Sequence, residues 1–237
     1  MVQLSDLLVK NDSLFNHIYV VNQKFDIIPS KKHYGMSINY VDLQEFRLQF
    51  IQELIHTILD WVYSKSKQAE IIEELISQGR TEGNSYSELV SAAHSKFRPS
   101  EDGSLLHGQF GELLLSNCIQ RFFNAAPILR KMSITTSPNH ERFGADAIHY
   151  TCVNGENLIF LGEAKSYSSK YKFNTAFEDA VKSIFDTYNN ITKELRTYIY
   201  EDFLDSKLQA IATDYINGKL ENVKVHLVCI ISYNENK

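Results

Sequence analysis

The stretch from Gly144 to Lys165 constrains this chain more than any other. It reads GADAIHYTCVNGENLIFLGEAK. Two apolar runs flank Asn154-Gly155, the strongest short-range signal for a two-residue hairpin turn. Asp146 stands near the start of the first run and Glu163 near the end of the second, with sixteen residues between them. In an antiparallel hairpin those two positions lie side by side. Side chains alternate with period two along a strand. Glu163 and Lys165 therefore share a face with Ile159 and Leu161, while Leu158, Phe160 and Ala164 face the other way. An acid and a lysine at the exit of an apolar strand are close enough to the core to be held and close enough to the rim to meet a substrate. The small pair Gly144-Ala145 before the aspartate allows close approach of backbone or phosphate.

These residue types suit the hydrolysis of a phosphodiester. Mg²⁺ (or Mn²⁺) takes oxygen ligands, commonly one or two carboxylates with water and substrate phosphate. Asp146 and Glu163 supply carboxylates in this reading, and the Ala164 carbonyl a further oxygen. The cation polarises the phosphate and acidifies a bound water. Lys165 orients that water or stabilises charge in the transition state.

Composition limits the setting. The chain has 237 residues, 43% hydrophobic and 12% aromatic, enough for one large domain or two small ones. No apolar run approaches the roughly 18 residues that a membrane helix needs, so no membrane role is expected. The start, MVQLSDLLVKNDSLF, lacks a signal peptide's basic end and long apolar centre. Cys118, Cys152 and Cys229 are scattered without C-x-x-C spacing, which points to a reducing, cytoplasmic setting and away from structural zinc. The net charge of −5 means that any nucleic-acid binding comes from a local patch or through a partner.

Along the chain, residues 1–97 read as an N-terminal α+β module, serving as scaffold or for partner docking. Residues 17–23 and 34–44 have strand patterns, joined through a Pro29-Ser30 turn. From Glu45 to Val62 apolar residues recur at three- and four-residue steps, as in one long helix. Further helices are expected over 68–77, stopped by Gly79, and over 86–97. His33, His56 and His94 stand alone and read as ordinary surface or core residues. Arg98 to Gly103 reads as a linker.

Residues 104–237 read as a second domain. A helix from His107 to Phe123 carries Glu112, with Leu115, Ile119 and Phe123 three, seven and eleven positions on. A carboxylate on that apolar face is costly unless paired or metal-bound. It is either a third acid of the site or an acid favoured by the helix dipole. His107 and Gln109 are weaker candidates for the same cleft. A strand is expected over Leu129–Thr135. After Lys165, the loop with Tyr167, Lys170, Tyr171 and Lys172, together with Arg142 on the approach to Asp146, is a candidate nucleic-acid contact. Thr175 to Glu178 matches a capping box. The following stripe, Ala176, Phe177, Ala180, Val181, Ile184, Phe185 and Tyr188, reads as sheet-facing core. One or two helices are expected over 191–216, ended by Gly218. Val223–Tyr233 reads as a strand buried on both faces.

The order of these parts resembles the PD-(D/E)xK nuclease superfamily, with its restriction-endonuclease-like fold. It runs from a helix with Glu112, through strands with Asp146 and Glu163-Ala164-Lys165, to a helix and a further strand. Ala145 stands where the proline of the family's name belongs. The resemblance implies an α/β (α+β) mixed sheet flanked by helices, with Asp146, Glu163, Lys165 and Glu112 as catalytic residues. It also implies Asp146, Glu163, Ala164 and Glu112 as metal ligands. The G-E-L-L helix start, the F-G-A-D strand and the L-G-E-A-K strand further resemble the HamA family, the nuclease subunits of Hachiman anti-phage defence. That likeness implies a helicase partner (HamB-like) in a heteromeric complex, and DNA as substrate. Two alternatives stay open: a catalytically inactive nuclease-fold binding subunit, and a nuclease acting on RNA. A stand-alone restriction enzyme fits poorly, since no target-recognition segment is visible.

Overall fold

The computed structural model of the chain describes residues 4–9, 11–23, 33–41, 44–97, 104–129, 144–167, 173–199 and 205–233. Its contacts form two compact units, Lys10–Thr57 and Met1–Val9 with Ile58–Lys237. Residues 58–97 fall in the second of these units. The linker read at 98–103 and the Pro29-Ser30 turn lie outside the described residues.

The smaller unit contains α1 (Asp12–Phe15), β1 (Ile18–Gln23), β2 (His33–Ile38), β3 (Tyr40–Val41), β4 (Gln44–Glu45) and α2 (Arg47–His56). Strands β1 and β2 pair antiparallel from Ile18↔Ile38 to Gln23↔His33, and β3 pairs with β4. The strand expected over 34–44 is therefore broken after Ile38. The single long helix expected up to Val62 stops at His56. There the Thr57 amide and hydroxyl both donate to the Leu54 carbonyl, at 3.1 and 2.8 Å, and close the last turn.

The larger unit holds α3 (Ile58–Val62), α4 (Lys65–Ser77), α5 (Glu82–Ser95), α6 (Ser104–Phe123), β5 (Ala126–Pro127), β6 (Ala147–Val153), β7 (Glu156–Tyr167), α7 (Phe173–Tyr198), α8 (Ser206–Ile216) and β8 (Val223–Tyr233). Side-chain caps start three of the helices. Ser64 accepts from Lys67 N, Thr81 from Asn84 N and Asp205 from Lys207 N. Gly79 at φ +91° ends α4, as expected.

The four longer-range strands form one mixed sheet in the order β5-β6-β7-β8, antiparallel except for the parallel pair β7–β8. The fold is α/β, a mixed sheet flanked by helices. Asn154 (φ +51°) and Gly155 (φ +80°) both adopt the left-handed backbone that a tight hairpin turn demands. This pins the β6–β7 register at Ala147↔Gly162.

The two faces of β7 divide as its alternation requires. On one, Phe160 stacks on Phe123 of α6 at 4.7 Å. Gly162 lies flush under the same helix: a Cβ there would come within 2.8 Å of Leu115 and 3.0 Å of Ile119. On the other face, Ile159 and Leu161 enter a core with Ile184, Ile191 and Leu195 of α7.

Two expectations fail on this face. In α7 the buried line is Ala176, Ala180, Ile184, Thr187, Ile191 and Leu195, whereas Phe177, Phe185 and Tyr188 are 48%, 53% and 44% exposed. The apolar stripe is wider than the arc that a sheet can cover, so its aromatic flank stays in solvent. Strand β8 is not buried on both faces. Among the described residues it ends the sheet beside β7, and Leu227 is 37% exposed. The strand expected over Leu129–Thr135 falls almost wholly outside the described residues.

Candidate functional site

Strand β6 begins only at Ala147, so β7 runs on past it, and among the described residues no further strand pairs with it on that side. The Ala164 amide would lose its acceptor there. Asp146 supplies one: its Oδ2 accepts from Ala164 N at 2.9 Å, while its own amide donates to Gly162 O at 3.1 Å. The aspartate is thereby fixed against the segment that carries Glu163. One carboxylate oxygen is engaged in this capping bond.

Glu163 is 3% exposed. Its Oε1 pairs with Lys165 Nζ at 2.7 Å, two residues along the same strand face. Its Oε2 is buried and makes no hydrogen bond. Burial, and next the charge of Asp146, raise the Glu163 carboxyl above the ordinary range. The Lys165 hydrogen bond and charge oppose this, and Ser183 of α7 opposes it more weakly. For Lys165, burial alone would lower the pKa. The hydrogen bond and charge of Glu163, then the charge of Asp146, outweigh that and raise it. Two carboxylates thus share one low-dielectric corner with one ammonium between them.

That corner fits a divalent cation. A buried carboxylate oxygen without a hydrogen bond is expensive unless something positive completes it. The donor set of two carboxylates is the usual protein contribution to a Mg²⁺ site.

Glu112 is not gathered with them. The preceding residue, Gly111, packs on Ser166 and Ala164, the side chains on the opposite face of β7 from Glu163. Among the described residues no three His, Cys, Asp or Glu side chains are grouped to hold a metal. Gln109 is buried on the same helix, and the His107 side chain lies outside the description. Tyr167 donates its hydroxyl to Asp179 of α7 at 3.0 Å, which ties the end of β7 to the helix. Arg142, Lys170, Tyr171 and Lys172 fall outside the described residues. Two of the cysteines hold their thiol protons tightly. Burial pushes Cys118 up to about 12, and burial aided by the Glu163 charge pushes Cys229 up to about 11.

Two further residues come from α7 and had no local signal in the sequence. Ser183 borders Glu163. Glu194 accepts from the Ala145 amide at 2.9 Å, one residue before Asp146. Both contacts depend on how a 26-residue helix crosses the sheet.

Compared with known proteins, residues 12–237 match the family model described as HamA. No curated protein and no solved structure matches the chain. No helix of the described residues is long and apolar enough to cross a membrane.

Proposed function

The chain belongs to the HamA family, and from that premise we propose that it is the nuclease subunit of a Hachiman anti-phage defence complex. In this reading it is a metal-dependent hydrolase of DNA phosphodiesters, restrained by a helicase partner. The observation that carries it is the end of the β6–β7 hairpin. Asp146, Glu163 and Lys165 meet there, and a buried Glu163 oxygen has no hydrogen bond.

Asp146 and Glu163 would hold Mg²⁺ or Mn²⁺, which when bound supplies a Lewis acid for the phosphate and for attacking water. Asp146 would contribute its carboxylate to the cation while its Oδ2 stays anchored on the Ala164 amide. Glu163 offers Oε2. Lys165, held 2.7 Å from Glu163, would stabilise charge on the phosphate or orient the attacking water. The buried floor of Ile159 and Leu161 keeps these groups rigid. The net charge of −5 opposes tight independent binding of DNA, and a helicase that delivers the strand removes that difficulty.

A second reading, a nuclease-like fold that only binds, is favoured by one observation: Lys165 already neutralises Glu163, and Glu112 does not complete a three-acid group. Cleavage of plasmid DNA, linear DNA and RNA in Mg²⁺ or Mn²⁺, with and without a HamB-like helicase, separates the readings. Cutting of DNA that is lost in Glu163→Ala and Lys165→Ala supports the proposal. Absence of cutting under every condition favours the binding subunit, and preferential cutting of RNA shifts the substrate class.

A further inference from the structure

We propose that Glu194 of α7 is a positioning residue that sets Asp146 for its cation. The inference rests on the reading of Asp146 and Glu163 as a divalent-metal pair.

The residues ahead of β6 have no strand partner among the described residues, yet Ala145 is 1% exposed. A buried amide without an acceptor is rare and costly. Glu194 Oε2 provides the acceptor at 2.9 Å. A carboxylate accepting from an amide makes a charge-assisted bond, roughly twice as strong as a neutral one. The carboxylate also packs flat on Gly144. A Cβ at that position would sit 3.1 Å from its Cδ and 3.1 and 3.2 Å from its two oxygens. Gly144 has φ +134°, a conformation that side chains rarely tolerate. Glycine is thus favoured at this point by its backbone, and its lack of a side chain lets the acid lie close against it.

The consequence reaches the site through one residue. Asp146 is anchored on its far side by Gly162 O and Ala164 N of β7. Glu194 anchors the peptide on its near side. The aspartate carboxylate is held between two clamps, and removal of one lets its backbone rotate about Gly144. An amide needs only an acceptor of the right length, so glutamine at 194 keeps the clamp and methionine, of similar volume, does not.

The test is calorimetric titration of MnCl₂ into the full chain, for wild type, Asp146→Asn, Glu194→Gln and Glu194→Met, beside thermal unfolding of each. The expected order is wild-type affinity within about threefold for Glu194→Gln and a loss of about tenfold or more for Glu194→Met. Asp146→Asn should show no specific binding. If Glu194→Met does not fold, Glu194→Asp, one methylene short of the Ala145 amide, takes its place with the same expectation. A Glu194→Met protein that melts earlier but binds Mn²⁺ like wild type overturns the positioning role and leaves the metal reading standing. Equal titrations of wild type and Asp146→Asn overturn the metal reading, and this inference with it.

Discussion

His149 and Glu163 stand on paired strands of one sheet, and both are buried, at 0% and 3% exposure. Their environments differ in kind. His149 faces α6, where its Nδ1 meets the Ala125 carbonyl at 3.0 Å and its Nε2 meets Ser116 Oγ at 3.4 Å. A carbonyl only accepts, so Nδ1 carries the proton and Nε2 receives the serine hydroxyl. Each ring nitrogen has a partner of the right sense. Glu163 faces α7 with one oxygen on Lys165 and the other on nothing, beside the charge of Asp146. The first buried polar group is settled by the fold and contributes to it. The second is buried with one oxygen unbonded, which is unfavourable, and under the proposed function a cation would complete it. Burial alone therefore does not single out a candidate; burial with a polar atom left unbonded does.

The largest test of this contrast is catalytic. Glu163→Gln and Lys165→Ala should each lower DNA cleavage by about 10²–10⁴-fold with unchanged circular dichroism. Residual cutting close to wild type in either variant would remove Glu163 or Lys165 from the chemistry.

Next in size is the structural side. His149→Ala strands Ser116 and the Ala125 carbonyl and opens a cavity, at a cost of about 3 kcal/mol. Urea unfolding measures it. A loss below about 1 kcal/mol would mean that the histidine's bonds contribute little.

Metal should separate the two residues directly. Saturating Mg²⁺ or Mn²⁺, at a hundred times its dissociation constant, should stabilise wild type by about 2.7 kcal/mol. The same increment is expected in His149→Ala and none in Asp146→Asn, as read by melting with and without chelator.

The smallest effect is the pH dependence of Glu163. Its folded carboxyl holds a proton to higher pH than in the unfolded chain, where the value is about 4.3. Between the two values the native state binds more protons, so stability falls as pH rises, and the cost is complete above the folded value. Without divalent ions, Glu163→Gln should therefore melt higher than wild type near neutrality. That gain should vanish below about pH 4. A variant less stable than wild type at pH 7 would show that the Lys165 pair is worth more than its burial costs.

The hairpin was legible because its determinants are local. Asn154-Gly155 set the turn, and period-two alternation then placed Asp146 beside Glu163 and put Lys165 on the same face. The limits of legibility have equally specific causes. The capping box at Thr175 suggested where the helix starts, but α7 already begins at Phe173 and runs unbroken to Tyr198. Its apolar stripe could not say how much the sheet would cover, so Phe177, Phe185 and Tyr188 were read as core. The apolar run of β8 looks the same at a sheet edge as at its centre.

By itself the sequence determined the class of fold, the register of the hairpin and the company of Asp146, Glu163 and Lys165. Those features follow from torsional preference and alternation, which act within a few residues. Tertiary structure alone decided which face of β7 α6 covers. It also brought Glu194 to Ala145 across 49 residues of chain and left one Glu163 oxygen without a bond. Those outcomes depend on how a long helix crosses a sheet. That angle is set by the packing of many side chains at once, and no single stretch of sequence encodes it.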